Sequence, residues 1–177
     1  YWRPNADDFE VSYVGKIGTG ETVYQGTNRY GIENFLMTQH KLEVKDDNFN
    51  FKGYMTSDWA GDSYDMNFTA ININRSWKGD TQWFGEYVGA IVLGQLGGLT
   101  IDQAHALGRN TADTGRLMPG TQGYLDAFET VVNNPDLTTG AKFQDESKVY
   151  HTDFNYNFGH MWDWAEVQVG GSYREYA

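Results

Sequence analysis

The 177-residue sequence predicts an all-β, antiparallel fold that is interrupted by one long loop containing helices. Aromatic residues make up 16% of the chain, with 21 glycines and only three prolines, a composition typical of strands and tight turns. Apolar and polar residues alternate over several runs, as expected for strands whose side chains point to opposite faces. Across residues 78–146 this period of two is replaced by a helical period.

The clearest alternation lies near the C-terminus. In residues 150–158 the even positions are aromatic residues or threonine and the odd positions are polar, and residues 165–174 repeat the pattern with inverted parity. A hairpin that closes at Met161 and Trp162 brings the two apolar faces together. The predicted pairs are Phe158 with Ala165, Tyr156 with Val167, and Phe154 with Val169.

A second hairpin is predicted upstream, with its turn centred on Asp46 and Asp47. Leu36, Leu42 and Val44 share one face of the first strand, and Lys41, Glu43 and Lys45 share the other. The following run begins at Phe49 and alternates in the same way. The predicted pairs are Val44 with Phe49 and Leu42 with Phe51, so the apolar faces coincide again.

Two further strands are predicted from shorter alternations. The first includes Phe9, Val11, Tyr13 and Ile17 on one face. The second places Tyr64, Met66, Phe68 and Ala70 on one face. Its pattern then slips to Ile71 and Ile73, which indicates a β-bulge.

The long loop carries two helix signatures. Thr100 and Gln103 have the spacing of a capping box, with Thr100 as the N-cap. A second helix follows, and Asn133, Asn134 and Pro135 end it. Its apolar residues fall on one stripe with a period of 3.6 residues, and they are Tyr124, Leu125, Phe128, Val131 and Val132.

Composition excludes several classes of function. The net charge of −11 argues against nucleic-acid binding, since a partner surface for phosphates has to be basic. The chain has no cysteine, and its longest apolar run, residues 88–94, is too short for a transmembrane helix. His40, His105, His151 and His160 lack the spacing of a zinc site, and no nucleophile elbow or phosphate-binding loop occurs. We therefore predict no enzyme activity, no catalytic residue, no metal and no cofactor.

Two architectures fit the alternation. An antiparallel transmembrane β-barrel segment is favoured because the polar faces carry Asn, Gln, Thr, Ser and Asp more than Lys and Glu, which suits a water-filled lumen. The predicted strands are also about ten residues long, as a tilted membrane-spanning strand requires. The alternative is a soluble or surface-attached β-sandwich that binds glycans through its tryptophans. In the barrel interpretation, residues 1–77 form the first strands and hairpins, 78–146 form an extracellular loop, and 147–177 form a further hairpin.

Phrases distributed through most of the chain resemble the TonB-dependent outer-membrane receptors of Bacteroidota. They are residues 24–30 (YQGTNRY), 41–43 (KLE), 53–54 (GY), 60–65 (AGDSYD), 112–116 (ADTGR), 119–121 (PGT) and 169–174 (VGGSYR). The resemblance implies a 22-stranded barrel that is occluded by a plug and imports a scarce nutrient, such as an iron chelate, an oligosaccharide or a peptide, with energy passed through TonB.

No plug and no TonB box occur in this sequence, so it is interpreted as part of a longer receptor. The expected partners are the remainder of that receptor, the TonB complex acting through the plug, a surface lipoprotein lid and outer-membrane lipid. No nucleic-acid partner is expected.

The candidate ligand-binding residues are Trp59, Asp62, Tyr64, Trp83, Arg109 and Arg116. Residues 58–65 gather three carboxylates beside aromatic rings, which favours either a ligand or Ca²⁺ site or, more simply, a tight turn capped by Asp and Ser. Trp83 belongs to an aromatic cluster with Trp77, Phe84 and Tyr87 that is typical of an interfacial girdle or of a stacking platform. Arg109 and Arg116 either clamp an anionic substrate or pair with nearby acids such as Asp113.

Overall fold

The structure, a computed structural model, describes residues 1–4 and 8–177 and divides into two compact units. The sheet unit comprises Tyr1–Thr22, Ile32–Gly61 and Gln144–Ala177. The helical unit comprises Val23–Gly31 and Asp62–Phe143. The helical unit thus begins upstream of the boundary at residue 78 that the sequence predicted for the loop.

Six strands form one antiparallel sheet. They are β1 (Glu10–Gln25), β2 (Arg29–Lys45), β3 (Phe49–Trp59), the short β4 (Tyr64–Asp65), β5 (Glu146–Asn157) and β6 (Gln168–Tyr176). The strand order is β1-β2-β3-β5-β6, with β4 paired to the start of β2. This order is a linear path that does not close into a barrel. The predicted antiparallel sheet is confirmed, whereas the all-β class is correct only in part because four helices accompany it.

Strand pairing places most apolar and polar side chains on opposite faces over the part of the sheet nearest the β2–β3 turn. The pairings run in rows across β2, β3, β5 and β6, and residues of one row share a face. One row consists of Val44, Phe51, Phe154 and Gly171, and the adjacent row on the opposite face consists of Glu43, Lys52, Asp153 and Ser172. The prediction that the apolar faces of both hairpins coincide is confirmed.

The predicted pairings within both hairpins are wrong by two residues. Val44 faces Phe51 instead of Phe49, because the turn is closed by the hydrogen bond from Asp46 N to Phe49 O, one residue later than expected. Tyr156 faces Val169 instead of Val167. There the connection is longer than a tight turn, since a short 3-10 helix (Gly159–Met161) is built into it. Alternation determines which face a residue occupies, but the turn determines the pairing.

The strand and β-bulge predicted for residues 64–73 are wrong beyond Asp65. Helix α1 (Met66–Trp77) occupies this segment. The Asp65 carboxylate accepts hydrogen bonds from the backbone N–H groups of Asn67 (2.8 Å) and Phe68 (3.0 Å), which satisfies donors that the first turn leaves unpaired. Thr69, Asn72 and Ile73 are the buried residues of the helix, a spacing of three and four that the apolar alternation concealed.

Three more helices follow: α2 (Asp80–Leu96), α3 (Ile101–Ala112) and α4 (Gln122–Val132). The capping box at Thr100 and Gln103 is confirmed, and so is the second predicted helix. Helix α2 was not predicted, because apolar residues surround it instead of forming one stripe. Within the described ranges no helix is both long and apolar enough to cross a membrane.

The core of the helical unit is small and joins α1 to α4. Ile73, Val131 and Ala141 are buried at its centre, and Leu117, Tyr124, Ala127 and Phe128 pack against them. Asn72, only 1% exposed, donates to the carbonyl oxygens of Gly140 (2.7 Å) and Leu137 (3.2 Å). One polar side chain therefore ties α1 to the loop that follows α4.

Helices α2 and α3 pack closely because small residues line their contact. Ala90, Gly94, Ala104, Gly108 and Ala112 are buried there. A Cβ atom on Gly108 would lie 2.9 Å from both Tyr87 O and Ile91 Cγ1. The backbones can approach this closely only because Gly108 has no side chain.

We expect Asn72→Ala to destabilise the helical unit by about 1–3 kcal/mol, because the buried carbonyl group of Gly140 and the part-buried carbonyl group of Leu137 lose their donor. Asn72→Asp should cost more, since a carboxylate would then face those carbonyl oxygens. Urea unfolding followed by helical circular dichroism measures both effects. Asn74→Ala is the control, because the exposed Asn74 side chain bonds only within its own helix, to Ala70 O; an equal loss in Asn74→Ala would contradict the role of Asn72.

Gly108→Ala should destabilise the α2–α3 pair by about 1–3 kcal/mol, because the added methyl group overlaps backbone that cannot yield. Gly89→Ala is the matched control. A Cβ on Gly89 meets no atom within 4 Å, so this variant should gain up to about 1 kcal/mol from helix propensity. Opposite shifts of the melting temperature are expected, and a neutral Gly108→Ala would show that the helices do not approach closely.

Candidate ligand-binding pocket in the helical unit

A pocket of about 180 Å³ opens where α1 ends, α2 begins and α3 ends. Its lining residues are Asn74, Trp77, Lys78, Asp80, Trp83, Phe84, Arg109, Asp113 and Arg116. All of them belong to the helical unit. The close α2–α3 contact holds the start of α2 beside the end of α3, because the two helices are joined by a short connection and run in opposite directions. We refer to this cavity as the α1–α3 pocket.

Asp113 contacts three other side chains of the α1–α3 pocket. Its carboxylate accepts hydrogen bonds from Trp83 Nε1 (2.9 Å) and Arg109 Nε (2.9 Å), and the nearest nitrogen of Arg116 lies 3.9 Å away. The hydrogen bond from Trp83 lowers the pKa of Asp113 most, and Arg109 lowers it further against the opposing effect of burial. Asp113 therefore remains ionised to lower pH than an ordinary aspartate and orients two pocket side chains.

Lys78 lines the pocket, and its ammonium group is engaged in contacts within the protein. Its side chain is only 8% exposed, and Nζ donates to Glu86 (2.5 Å) and to Ala112 O (2.7 Å). The second bond satisfies a carbonyl at the C-terminal end of α3, where a cation is electrostatically favoured. The ammonium group also lies 4.6 Å from the ring centroid of Trp77. Its charge is thus compensated within the protein.

Aromatic rings form one wall of the pocket. Trp83 and Tyr87 stack with their ring centroids 5.1 Å apart, and Phe84 meets Trp83 edge to face at 5.1 Å. The guanidinium carbon of Arg109 lies 5.5 Å from the Trp83 ring centroid, within the range of a cation–π contact. Tyr87 is anchored by a hydrogen bond to Nδ1 of His105 (2.7 Å). The exposed member is Phe84 (59%), which leaves apolar surface for a ligand.

The structure brings three of the six candidate residues together and leaves the other three apart from the pocket. Trp83, Arg109 and Arg116 line it. Trp59 ends β3 in the sheet unit, paired with Leu36 and Glu146. The Tyr64 ring packs edge to face on Phe128, with the ring centroids 5.4 Å apart, and it also lies against Gly31. Asp62 precedes the buried Ser63 and is exposed.

Among the described residues, the segment around Asp62 contributes to no group of three or more metal-ligating side chains. Asp65 is the N-cap of α1, and the Asp58 carboxylate accepts a hydrogen bond from Ser147 Oγ (2.7 Å). Elsewhere, Asp8, Asp46 and Asp47 place their oxygens within 4.8 Å of one another at the β2–β3 turn. Ca²⁺ takes about six to eight oxygen ligands, and three surface carboxylates supply too few of them to define a site.

Lys78, Asp80 and Asn74 belong to the pocket but were not among the candidates. Asn74 was missed because its segment was assigned to a strand. Lys78 lies between α1 and α2 and Asp80 begins α2, and only the packing of α2 on α3 reveals what they face. Asp113 was recognised as an acid near the two arginines, and its central position is the part that required the structure.

Comparison with protein-family models, with curated proteins and with solved structures returned no significant match.

The ion pair at Asp113 predicts a pH dependence. Because the folded-state pKa lies below the ordinary value of 3.8, ionised Asp113 stabilises the fold at neutral pH, and this stabilisation is lost as the pH falls through the lowered pKa. The melting temperature of Asp113→Asn should be lower than that of the wild type at neutral pH, and the two should converge in acid. Asp126→Asn, on α4, is the charge-matched control, and a constant difference between Asp113→Asn and the wild type at every pH would contradict the assignment.

Proposed function

We propose that this chain is a segment of an outer-membrane transporter of the TonB-dependent receptor type, in which the sheet unit forms part of the barrel wall and the helical unit is an extracellular loop that recognises the imported nutrient. The observation that carries the proposal is the two-faced sheet. Its apolar face exposes large side chains, including Phe154 (46%), Val169 (55%) and Tyr173 (62%). An exposed apolar surface of this kind is what lipid covers in a membrane barrel.

The opposite face of the sheet is a network of polar side chains, as a water-filled lumen requires. Lys52 Nζ lies 3.1 Å from the Asp153 carboxylate, which also contacts His151 Nε2 at 2.8 Å. Arg174 donates through Nε to His151 Nδ1 (3.2 Å). These contacts connect β3, β5 and β6 side by side.

Strand length and strand edges also support the proposal. The five long strands contain 9 to 17 residues, and about 9–11 tilted residues suffice to cross the hydrocarbon core. Strands β1 and β6 are the open edges of the sheet among the described residues. In lipid such edges have to be paired, so strands from the remainder of the receptor flank them in this proposal. The plug, the TonB complex acting through it and a lipoprotein lid are the further partners that it implies.

The alternative, a glycan-binding β-sandwich, is less well supported. It needs a second sheet that packs on the side chains of Phe154, Tyr156 and Val169. The described residues form a single sheet, and this face includes the exposed residues Phe154 and Val169. Among the two candidates, the transporter segment is the one that accounts for an uncovered apolar face.

The test is insertion into lipid. We expect the wild-type chain to require detergent and to float with phospholipid vesicles in a density gradient. Phe154→Arg should reduce flotation sharply, because arginine on the lipid face costs as much as about 2–4 kcal/mol near the bilayer centre. Asn155→Arg, the adjacent residue on the polar face, is the matched control and should float like the wild type.

Two outcomes would overturn the proposed function. The first is a stable, monodisperse 20.1 kDa monomer in plain buffer. The second is equal flotation of Phe154→Arg and Asn155→Arg, because the two faces of the sheet would then not differ in their environment.

A further inference from the structure

We infer that the α1–α3 pocket binds a small organic anion, a carboxylate attached to a flat ring, an inference that rests on the proposed role of the helical unit in ligand recognition. The site is defined by two guanidinium groups that share one carboxylate beside an aromatic wall. The argument has three parts: the charge of the pocket, the hydrogen-bonding groups that it leaves unused, and its size.

The pocket carries an uncompensated positive charge. Arg75 pairs with Asp80 (2.7 Å) and Lys78 pairs with Glu86 (2.5 Å), so these pairs are neutral. Within the described residues, Arg109 and Arg116 share a single acidic partner, Asp113. The nearest Arg116 nitrogen lies 3.9 Å from its carboxylate. In a chain of net charge −11, a cationic pocket is a local exception that selects for an anion.

The unused hydrogen-bonding groups around Asp113 are donors. Arg109 donates to Asp113 through Nε alone, and within the described residues its two terminal nitrogens make no hydrogen bond, nor does the guanidinium group of Arg116. Both oxygens of the Asp113 carboxylate are engaged, one by Trp83 and the other by Arg109. A ligand rich in hydroxyl donors, such as a neutral sugar, finds few free acceptors beside the two arginines. A forked oxyanion instead finds donors with matching geometry.

The size and the aromatic wall define the rest of the ligand. A volume of 180 Å³ is below the roughly 300–1,000 Å³ of pockets that enclose drug-sized molecules. It therefore accommodates one ring, or one end of a longer molecule. Phe84 is the exposed ring, and Trp77 and Trp83 line the pocket beside it. A flat ring packs on such a wall while its carboxylate reaches the guanidinium groups.

The test uses the full 177-residue chain in detergent micelles, with benzoate as the probe and isothermal titration calorimetry as the measurement. Benzyl alcohol, acetate and glucose are the comparison ligands, since they remove the charge, the ring or both. We expect benzoate to bind at least about tenfold more tightly than each of them, because a charge-assisted pair and the ring contact both contribute. The affinity for benzoate should also fall as salt is added.

Arg116→Gln should weaken benzoate binding by about tenfold. The Arg116 side chain is exposed and makes no hydrogen bond within the described residues, so the variant should fold like the wild type. Arg116→Lys keeps the charge without the fork and should lie between the two. Arg29→Gln removes the same charge from an exposed position at the start of β2 and should bind as the wild type does.

The inference is overturned if benzyl alcohol or glucose binds as tightly as benzoate, if no probe binds, or if Arg116→Gln and Arg29→Gln are indistinguishable. Vesicle flotation of the same samples separates this result from the proposed function. If the chain floats but does not discriminate the ligands, the inference about the pocket is contradicted and the transporter proposal stands. If the chain binds benzoate through Arg116 but does not associate with lipid, the inference about the pocket stands and the transporter proposal is contradicted.

Discussion

Side-chain alternation across aligned antiparallel strands is the constraint on which the sheet unit depends. Once Val44, Phe51 and Phe154 share a row, their neighbours Glu43, Lys52 and Asp153 must share the opposite face. Near the β2–β3 turn, one set of alternate rows therefore forms an apolar surface and the other set forms a polar one. An apolar surface of this extent is unfavourable in water, because every exposed apolar group forgoes the free energy of burial. The environment proposed for the sheet follows from its pairing.

The helical unit is organised by a different kind of interaction. Its apolar core is small, and specific polar contacts hold its elements in place: Asp65 begins α1, Asn72 ties α1 to the loop after α4, and Asp113 orients Trp83 and Arg109. Such contacts are directional, so they position side chains more narrowly than apolar packing does. This suits a region that presents a binding pocket.

The successes and failures of sequence interpretation have a common physical origin. A period of two in a run such as residues 150–158 reports which side chains share a face, and that prediction was correct for β2, β3, β5 and β6. Pairing depends on how many residues each turn takes up, and both hairpins were displaced by two residues for that reason. In α1, a single N-cap at Asp65 outweighed an apparent alternation, because helix initiation depends on the end of the segment and not on its average pattern.

The amino-acid sequence alone determined the polarity of each strand, the antiparallel sheet and two of the four helices described. It also identified Trp83, Arg109 and Arg116 as candidate ligand-binding residues. These features follow from local periodicity and residue chemistry. Tertiary structure decided the pairing register, the existence of α1 and α2 and the assembly of the pocket. It also decided that the ring of Tyr64 packs on Phe128, outside the lining of the α1–α3 pocket. The role of a charged or aromatic residue depends on which groups lie within a few ångströms of it. Packing between helices such as α2 and α3 brings residues that are distant in sequence into that range.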